Sequence, residues 1–480
     1  MSAIDYAIFG LYMLGILGIG FYFNGRNRTM EDYYVGGRSI GAGHVGLSIV
    51  ATDVGGGFSI GLGGIGFAMG LAGSWLLFTG LLGAWLSAIF IIPRIKRIDS
   101  GAGMLTYPDF LRSRYGEPVA LLAAIVSAIG YAGFTGGQVL AGAKLTAGTL
   151  LPTGAFGLSA VQLAILVIGF IIVTYTVLGG LRAVIYTDTI QWIVLLAGLC
   201  LLAIPFSLHR IGGWSALQAA LPDRYFDILH IEPIRVFNWF ITIIPIWLVA
   251  MTLYQRMFAC RDVRAAKRAW FIAGLFEYPI MAFMGVLLGM CARVLFPMAE
   301  KEMGLPMLIG EVLPVGIAGI VVASYFSAIM STADSCLIAS SGNLVGDLIH
   351  RHIWPRASAR SLIRLSQVTT LLVGVAAVAM AWIAARHGDV LTAILYTYSF
   401  MVSALFVPTL GAYFWPRSST VGAFWGMLAG GACTVALLAT APDLPLGLHP
   451  TAFGLLISAL VFVAGSLAWP ERGHRAEDIA

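Results

Sequence analysis

Apolar residues run along this chain in blocks of about twenty or more, closed off by charges and by Pro or Gly. A helix rises 1.5 Å per residue, so such a block spans a bilayer hydrocarbon core of roughly 30 Å. The blocks fall at about 3–23, 42–70, 73–93, 117–143, 155–178, 181–208, 234–257, 267–296, 308–346, 362–386, 389–414, 419–441 and 449–470. They predict an all-α membrane protein with about thirteen transmembrane helices, the odd count placing the termini on opposite sides. The longest loop, about 25 residues between Phe206 and Ile234, leaves no room for a soluble domain, so function resides in the bundle. Spans two to six and seven to eleven make two sets of five, and an odd-numbered unit followed by its copy must invert in the membrane. The expected organisation is a first helix and cytoplasmic loop at 1–41, a first five-helix repeat at 42–208 and an extracellular loop at 209–233. A second repeat follows at 234–414, then two helices and a short cytoplasmic tail at 415–480.

Composition agrees with this pattern. Of 480 residues, 59% are hydrophobic and 11% charged, against about 25% charged in a soluble domain. The net charge of +5 reflects topology rather than nucleic-acid binding, because with the C-terminus cytoplasmic 21 of the 28 Lys and Arg residues fall in inside loops, as the positive-inside rule requires. The expected location is the cell membrane, multi-pass, with the N-terminus outside. Asp5 stands where a signal peptide would carry positive charge, so the first block reads as a retained helix. Five scattered cysteines imply neither a disulfide framework nor a metal site.

Polar residues inside the spans carry the candidate chemistry. Span two holds Ala51-Thr-Asp53-Val-Gly55-Gly56-Gly57; three consecutive glycines each lose about 1 kcal/mol of helix propensity, so the helix is expected to break there and expose carbonyls to a cation. Close packing through small residues is the competing reading, but Asp53 beside the break costs about 2.5–3.5 kcal/mol on insertion scales unless it finds a partner. Span nine carries Ser324, Ser327, Ser331, Thr332, Asp334, Ser335, Ser340 and Ser341. Ser331, Asp334 and Ser335 share one helical face with Thr332 on its flank, an oxygen set suited to a small hard cation; hydroxyls bonded back to the preceding turn are the plainer alternative. Asp188 pairs with Arg182 or with a cation. Glu277, two residues before Pro279, either faces a cavity at a kink or makes an interhelical hydrogen bond. Gln138, Trp247, Thr252, Tyr396, Tyr398 and Ser399 could touch a solute, though buried Tyr and Trp more often pack.

Several runs together resemble the sodium:solute symporter family over nearly the whole chain: Glu31-Asp-Tyr-Tyr-Val-Gly-Gly-Arg38, the Ala-Thr-Asp-Val-Gly-Gly-Gly break, Tyr175-Thr-Val-Leu-Gly-Gly followed by Tyr-Thr-Asp188, Tyr254-Gln-Arg256, and Ala328-Ile-Met-Ser-Thr-Ala-Asp-Ser335. The resemblance implies the LeuT-type fold, a 5+5 inverted-repeat core formed here by spans two to eleven. It implies a sodium site at the carbonyls of Ala51 and Val54 and the hydroxyls of Ser331 and Thr332, with Asp53 close by. A second cation site found in some members would use Asp188, Ser331, Asp334 and Ser335. Solute would sit at the break, with Gly55, Gly56, Gln138, Trp247 and Tyr396 as its candidates. Locally the motifs are most similar to the choline-transporter branch, and also to the proline and pantothenate branches. The choline branch's cage tryptophans fall on Asp53, Ala250 and Leu395, so the cage that a quaternary ammonium needs is missing; proline, pantothenate, another carboxylate or a sugar stays open.

The implied function is sodium-coupled symport of a small organic solute by alternating access, with Na+ as coupling ion and no other cofactor. The expected partners are that solute, sodium and the lipid bilayer. The rivals are a proton-coupled transporter using Asp53, Asp188 or Glu277, a membrane enzyme, and a transport-dead nutrient sensor. No His-Glu-x-x-His or Gly-x-Ser-x-Gly motif supports an enzyme, no P-loop supports ATP, and a tail of about ten residues gives a sensor little output.

Overall fold

A computed structural model describes residues 1–24, 29–387, 389–440 and 444–471. Among the described residues the chain is helical, with two isolated bridges, Ile40 with Cys260 and Ala155 with Leu158, and no strand. That follows from the solvent: lipid offers backbone groups no partners, and a helix satisfies them within itself. The long helices are α1 (Ala3–Asn24), α2 (Ala42–Met69), α3 (Trp75–Leu86), α4 (Glu117–Gly148), α5 (Ala160–Ala197), α6 (Pro233–Val249) and α7 (Met251–Ala259). They continue as α8 (Val263–Phe276), α9 (Phe283–Leu295), α10 (Ile317–Gly342), α11 (Ala359–His387), α12 (Val390–Phe414), α13 (Thr420–Thr440) and α14 (Pro450–Ala468). Among the described residues, ten stretches are long and apolar enough to cross a membrane, or eleven if α6 and α7, bent by 42° at their junction, make one crossing.

α5 contains two of these crossings, Ala160–Val177 and Val184–Ile211. The Tyr175 hydroxyl lies 3.3 Å from that of Thr187, whereas twelve residues of straight helix would separate their backbones by about 18 Å. The chain therefore doubles back between them.

α2 packs against α5, α8, α9 and α10, and α10 packs in turn against α2, α4 and α5. Burial ranks the spans accordingly: 89% of the most apolar window of α10 is inside the bundle, against 28% for α14. The hydroxyl-rich helix is thus the centre of the molecule, and the last helix is peripheral. α1 is tied to this centre by Asp5, whose Oδ1 accepts the N–H groups of Gly316 (2.7 Å) and Gly319 (3.0 Å) at the start of α10, donors that a helix N-terminus leaves open.

Candidate functional site

The break predicted in α2 is present, and Gly55 makes it. Its φ of 40° and ψ of −177° interrupt the helix, and a Cβ there would sit 2.2 Å from Thr332 Oγ1. Only glycine tolerates both the conformation and the approach. Beyond the break, the Gly57 N–H bonds to Gln138 Oε1 at 3.0 Å, so a side chain of α4 reaches the backbone of α2 where the helix is interrupted.

α10 faces this break with its hydroxyls. Thr332 Oγ1 donates to the Ala51 carbonyl at 3.0 Å. Ser331, 1% exposed, lies beside Asp188, yet its hydroxyl makes no well-formed hydrogen bond. A buried hydroxyl without a partner costs about 1–3 kcal/mol, and a cation between α2 and α10 would supply that partner. The Ala51 carbonyl and the Ser331 and Thr332 hydroxyls are thus neutral oxygens on two helices that could hold a small hard cation such as sodium. Asp53 is arranged differently, its carboxyl meeting that of Glu277.

Around Asp188 and Ser335 the structure places an arginine. Asp188 and Ser335 are fully buried, and the Arg256 guanidinium lies between them, donating to Asp188 Oδ2 at 3.2 Å and to Ser335 Oγ at 2.8 Å. Arg256 also donates to Ser48 Oγ at 3.0 Å and Thr52 Oγ1 at 2.5 Å, and Ser48 donates to Asp188. Asp334 accepts from Thr176 at 2.5 Å, while Asp188 Oδ1 has no partner. The charge partner of Asp188 is therefore Arg256 of α7; the side chain of Arg182 lies outside the described residues.

A cavity of about 20 Å³ opens beside the break, lined among others by Thr52, Asp53, Tyr131, Phe134, Thr252 and Tyr398. Its far wall is the junction of α6 and α7 at Ala250, whose ψ of 119° interrupts a second span. The Thr252 N–H after that junction donates to the Tyr131 hydroxyl at 3.2 Å. One helix, α4, therefore caps both interruptions, through Tyr131 and Gln138, two turns apart on one face.

The remaining candidates separate. Gly55 and Gly56 form the break; a Cβ on Gly56 would overlap Ile329 of α10. Gln138 holds the backbone, with its Nε2 left unpartnered. Trp247 is fully buried against Gly83 of α3 and lines none of the cavities described here. Tyr396 is 44% exposed and faces His449, outside the central cavity, whereas Tyr398 lines it. Glu277 meets Asp53 from a wider π turn, Glu277–Ala282, that contains Pro279. The residues that the sequence reading left without a role are Arg256, Tyr131 and Phe134. Tyr131, Phe134 and Gln138 at i, i+3 and i+7 are a helical face visible in the sequence, but nothing local says that this face meets both breaks.

The sodium:solute symporter family profile matches residues 33–430. The high-affinity proline transporter PutP of Bacillus subtilis (strain 168) is 28% identical over 435 residues, 88% of this chain and 89% of its own. The sodium/glucose cotransporter 2 of Rattus norvegicus is 28% identical over 491 residues, 89% of this chain and 70% of its own. A substrate-bound, outward-open Na+-coupled sialic acid symporter superposes with a TM-score of 0.81 at 19% identity, covering 99% of both chains. Mhp1, a nucleobase-cation-symport-1 family transporter with bromovinylhydantoin bound, gives 0.59 at 16% identity over 93% of this chain and 98% of its own. The LeuT-type architecture is shared with these transporters, and the broken helix facing a hydroxyl-lined neighbour is accounted for by a match that runs through nearly the whole bundle: this chain belongs to the sodium:solute symporter family.

Proposed function

We propose that the chain couples sodium entry to import of a small organic solute through a site built on the break of α2. Sodium is held by the carbonyls of Ala51 and Val54 and the hydroxyls of Ser331 and Thr332. The observation that carries this assignment is the pairing of Thr332 with the Ala51 carbonyl, next to a Ser331 hydroxyl that makes no well-formed hydrogen bond. A bound cation draws α2 and α10 together and orders the break, and solute binding and sodium binding then strengthen each other by the same factor. A second cation at Asp188, Asp334 and Ser335 would have to displace the Arg256 guanidinium, so we assign one sodium to this arrangement. The solute belongs among amino acids, carboxylates, vitamins and sugar-like compounds, the range suggested by relatives named for proline, myo-inositol and glucose.

The crossing count we favour is thirteen. Dividing Ala42–Ala102 at the Gly70–Ser74 turn, joining α6 to α7 and adding the 22-residue α1 give that number. Interruptions in the first helix of each five-helix set, at Gly55 and at Ala250, support inverted repeats at 42–208 and 234–414. The orientation we favour, in the cell membrane with the N-terminus outside, rests on the excess of Lys and Arg in one set of loops, two pairs of which meet through the Arg351–Asp109 ion pair and the Lys96 hydrogen bond to the Cys260 carbonyl. At the other end, Lys144 joins Glu302 and Lys301 joins Asp389.

Reconstitution into liposomes tests the reading. Under an inward sodium gradient, one labelled solute from a panel of amino acids, monocarboxylates, vitamins and sugars accumulates, and substituting potassium abolishes it. Accumulation driven by a proton gradient with sodium absent would replace sodium by protons as the coupling ion.

A further inference from the structure

Away from the break, at the end of the bundle that we place in the cytoplasm, a cavity of about 620 Å³ is walled by Arg38, Lys96, Arg97 and Arg261 against Asp99 and Asp262. Four cations thus face two acids. Part of this wall is fixed in place: Asp99 is shared by Arg38 at 2.8 Å and Lys96 at 3.4 Å, and Lys96 also donates to the Cys260 carbonyl at 2.9 Å. Asp262 meets Arg261 at 3.4 Å. Arg97 is exposed and makes no salt bridge with any described residue.

α8 starts at the edge of this cavity, where Val263 lines it. Arg264, Lys267, Arg268, Phe271 and Leu275 then follow at i, i+3, i+4, i+7 and i+11, which is one helical face. Phe271 and Leu275 are exposed on it, and among the described residues neither Lys267 nor Arg268 makes a salt bridge. The Phe271 ring meets that of Trp85 in α3 edge to face at 5.8 Å. Ile89 and Phe90, in the π turn Ser87–Ile91 that joins α3 to the Ile92–Ala102 helix, are exposed as well. From Lys267 to Leu275 the helix rises about 12 Å, so the basic end of the face passes into an apolar one at hydrocarbon depth. The positive-inside bias accounts for cations in these loops, but not for a walled cavity placed at the head of an exposed apolar face.

We infer that this cavity docks an anionic phospholipid of the cytoplasmic leaflet, its phosphate among Lys96, Arg97 and Arg261 and an acyl chain along Phe271 and Leu275. Basic pockets between spans on the cytoplasmic side attract such headgroups, and guanidinium groups match phosphate with two parallel N–H bonds. A zwitterionic headgroup brings its own ammonium among these cations and is disfavoured. A soluble anion uses the charges and leaves the apolar face unused. The inference needs neither sodium nor solute and shares only the orientation with the symport reading.

Thermal stability of the delipidated full chain, in potassium chloride without sodium or solute, is measured with phosphatidylglycerol, with phosphatidylcholine of the same acyl chains, and with inorganic phosphate. The expected result is saturable stabilisation by phosphatidylglycerol and little by the other two. Arg97→Gln with Arg261→Gln raises the half-maximal phosphatidylglycerol concentration on the order of tenfold or more. Lys267→Gln with Arg268→Gln weakens the same lipid and serves where the first pair does not fold. Arg360→Gln with Arg364→Gln removes two exposed cations from the start of α11, outside this cavity, and leaves the lipid response unchanged. Equal stabilisation by the two lipids, an equal loss in the Arg360 and Arg364 pair, or stabilisation by inorganic phosphate matching that by phosphatidylglycerol overturns the inference. Each of these outcomes leaves the coupling reading standing, since no sodium is present.

Discussion

At the scale of single residues, the sodium assignment divides labour between neutral and charged oxygens. Ser331→Ala combined with Thr332→Ala removes two hydroxyls from the cation's shell, each worth about 1.5–3 kcal/mol toward a charged partner. The double variant is expected to remain in the membrane while its apparent Kd for sodium rises by on the order of 100-fold or more, read as the sodium concentration giving half-maximal stabilisation. Arg256 is a different kind of residue, with its guanidinium wholly inside the bundle and paired to Asp188. Removing one member of a buried pair costs about 3–5 kcal/mol because the other charge is stranded. Arg256→Met is therefore expected to destabilise the protein strongly, and Asp188→Leu added to it to recover part of the loss, since contacting residues are not additive; purely additive losses would break the pair.

At the scale of elements, two interrupted helices need something to hold them open. α4 does so, donating no backbone but presenting the Tyr131 hydroxyl and the Gln138 amide to the N–H groups of Thr252 and Gly57. Tyr131→Phe removes the acceptor from one interruption and is expected to lower stability by about 1–3 kcal/mol, with the sodium response largely kept. Gly55→Ala attacks the other interruption, adding strain of about 1–3 kcal/mol from its φ of 40°. It also drives a methyl into Thr332, so it is expected to lose the sodium response as well. The first break was legible because Gly55-Gly56-Gly57 is a local signal of low helix propensity, and Ser331, Thr332 and Ser335 were legible because hydroxyls are conspicuous in an apolar helix. The break at Ala250 was not: no glycine or proline stands at the junction, and it persists because Tyr131, 121 residues away, satisfies the freed donor. Tyr396 and Tyr398 differ only by two positions in one helix, and which of them faces the cavity depends on how α12 is rotated against α4, a tertiary fact that the local pattern leaves undetermined. Arg256 was visible only as part of a motif, since its partners come from three other helices.

At the scale of the whole molecule, alternating access requires latches at both ends that open in turn. Toward the proposed extracellular end Glu302, 1% exposed, accepts Lys144 at 2.8 Å and the N–H groups of Val390 and Leu391 at the start of α12. Beside it Lys301 meets Asp389 at 2.5 Å; burial pushes the Asp389 carboxyl up, but Lys301 and Thr392 outweigh it and hold it below the ordinary carboxylate range. A depressed carboxylate contributes above its unfolded pKa of about 3.9 and is lost only as pH falls through the lower folded value, so this latch holds at neutral pH. At the opposite end Arg112 gathers Asp109, Glu117 and Asp347. Cys336, a free thiol in the wall of the central cavity, reports which latch is open. Glu302→Gln weakens the extracellular latch alone and is expected to speed labelling of Cys336 by a small membrane-impermeant thiol reagent added outside, whereas Asp347→Asn is expected to leave that rate unchanged or lower it.

The coupling account depends on sodium being the ion that the α2 break and α10 hold. The thermal stability of the purified protein in sodium against potassium, at matched ionic strength and without solute, tests that directly. The account predicts stabilisation in sodium that grows with its concentration, about 1.4 kcal/mol at ten times Kd, and that is lost with Ser331→Ala and Thr332→Ala. Equal stability in the two salts, or a sodium effect untouched by that pair of substitutions, would contradict it.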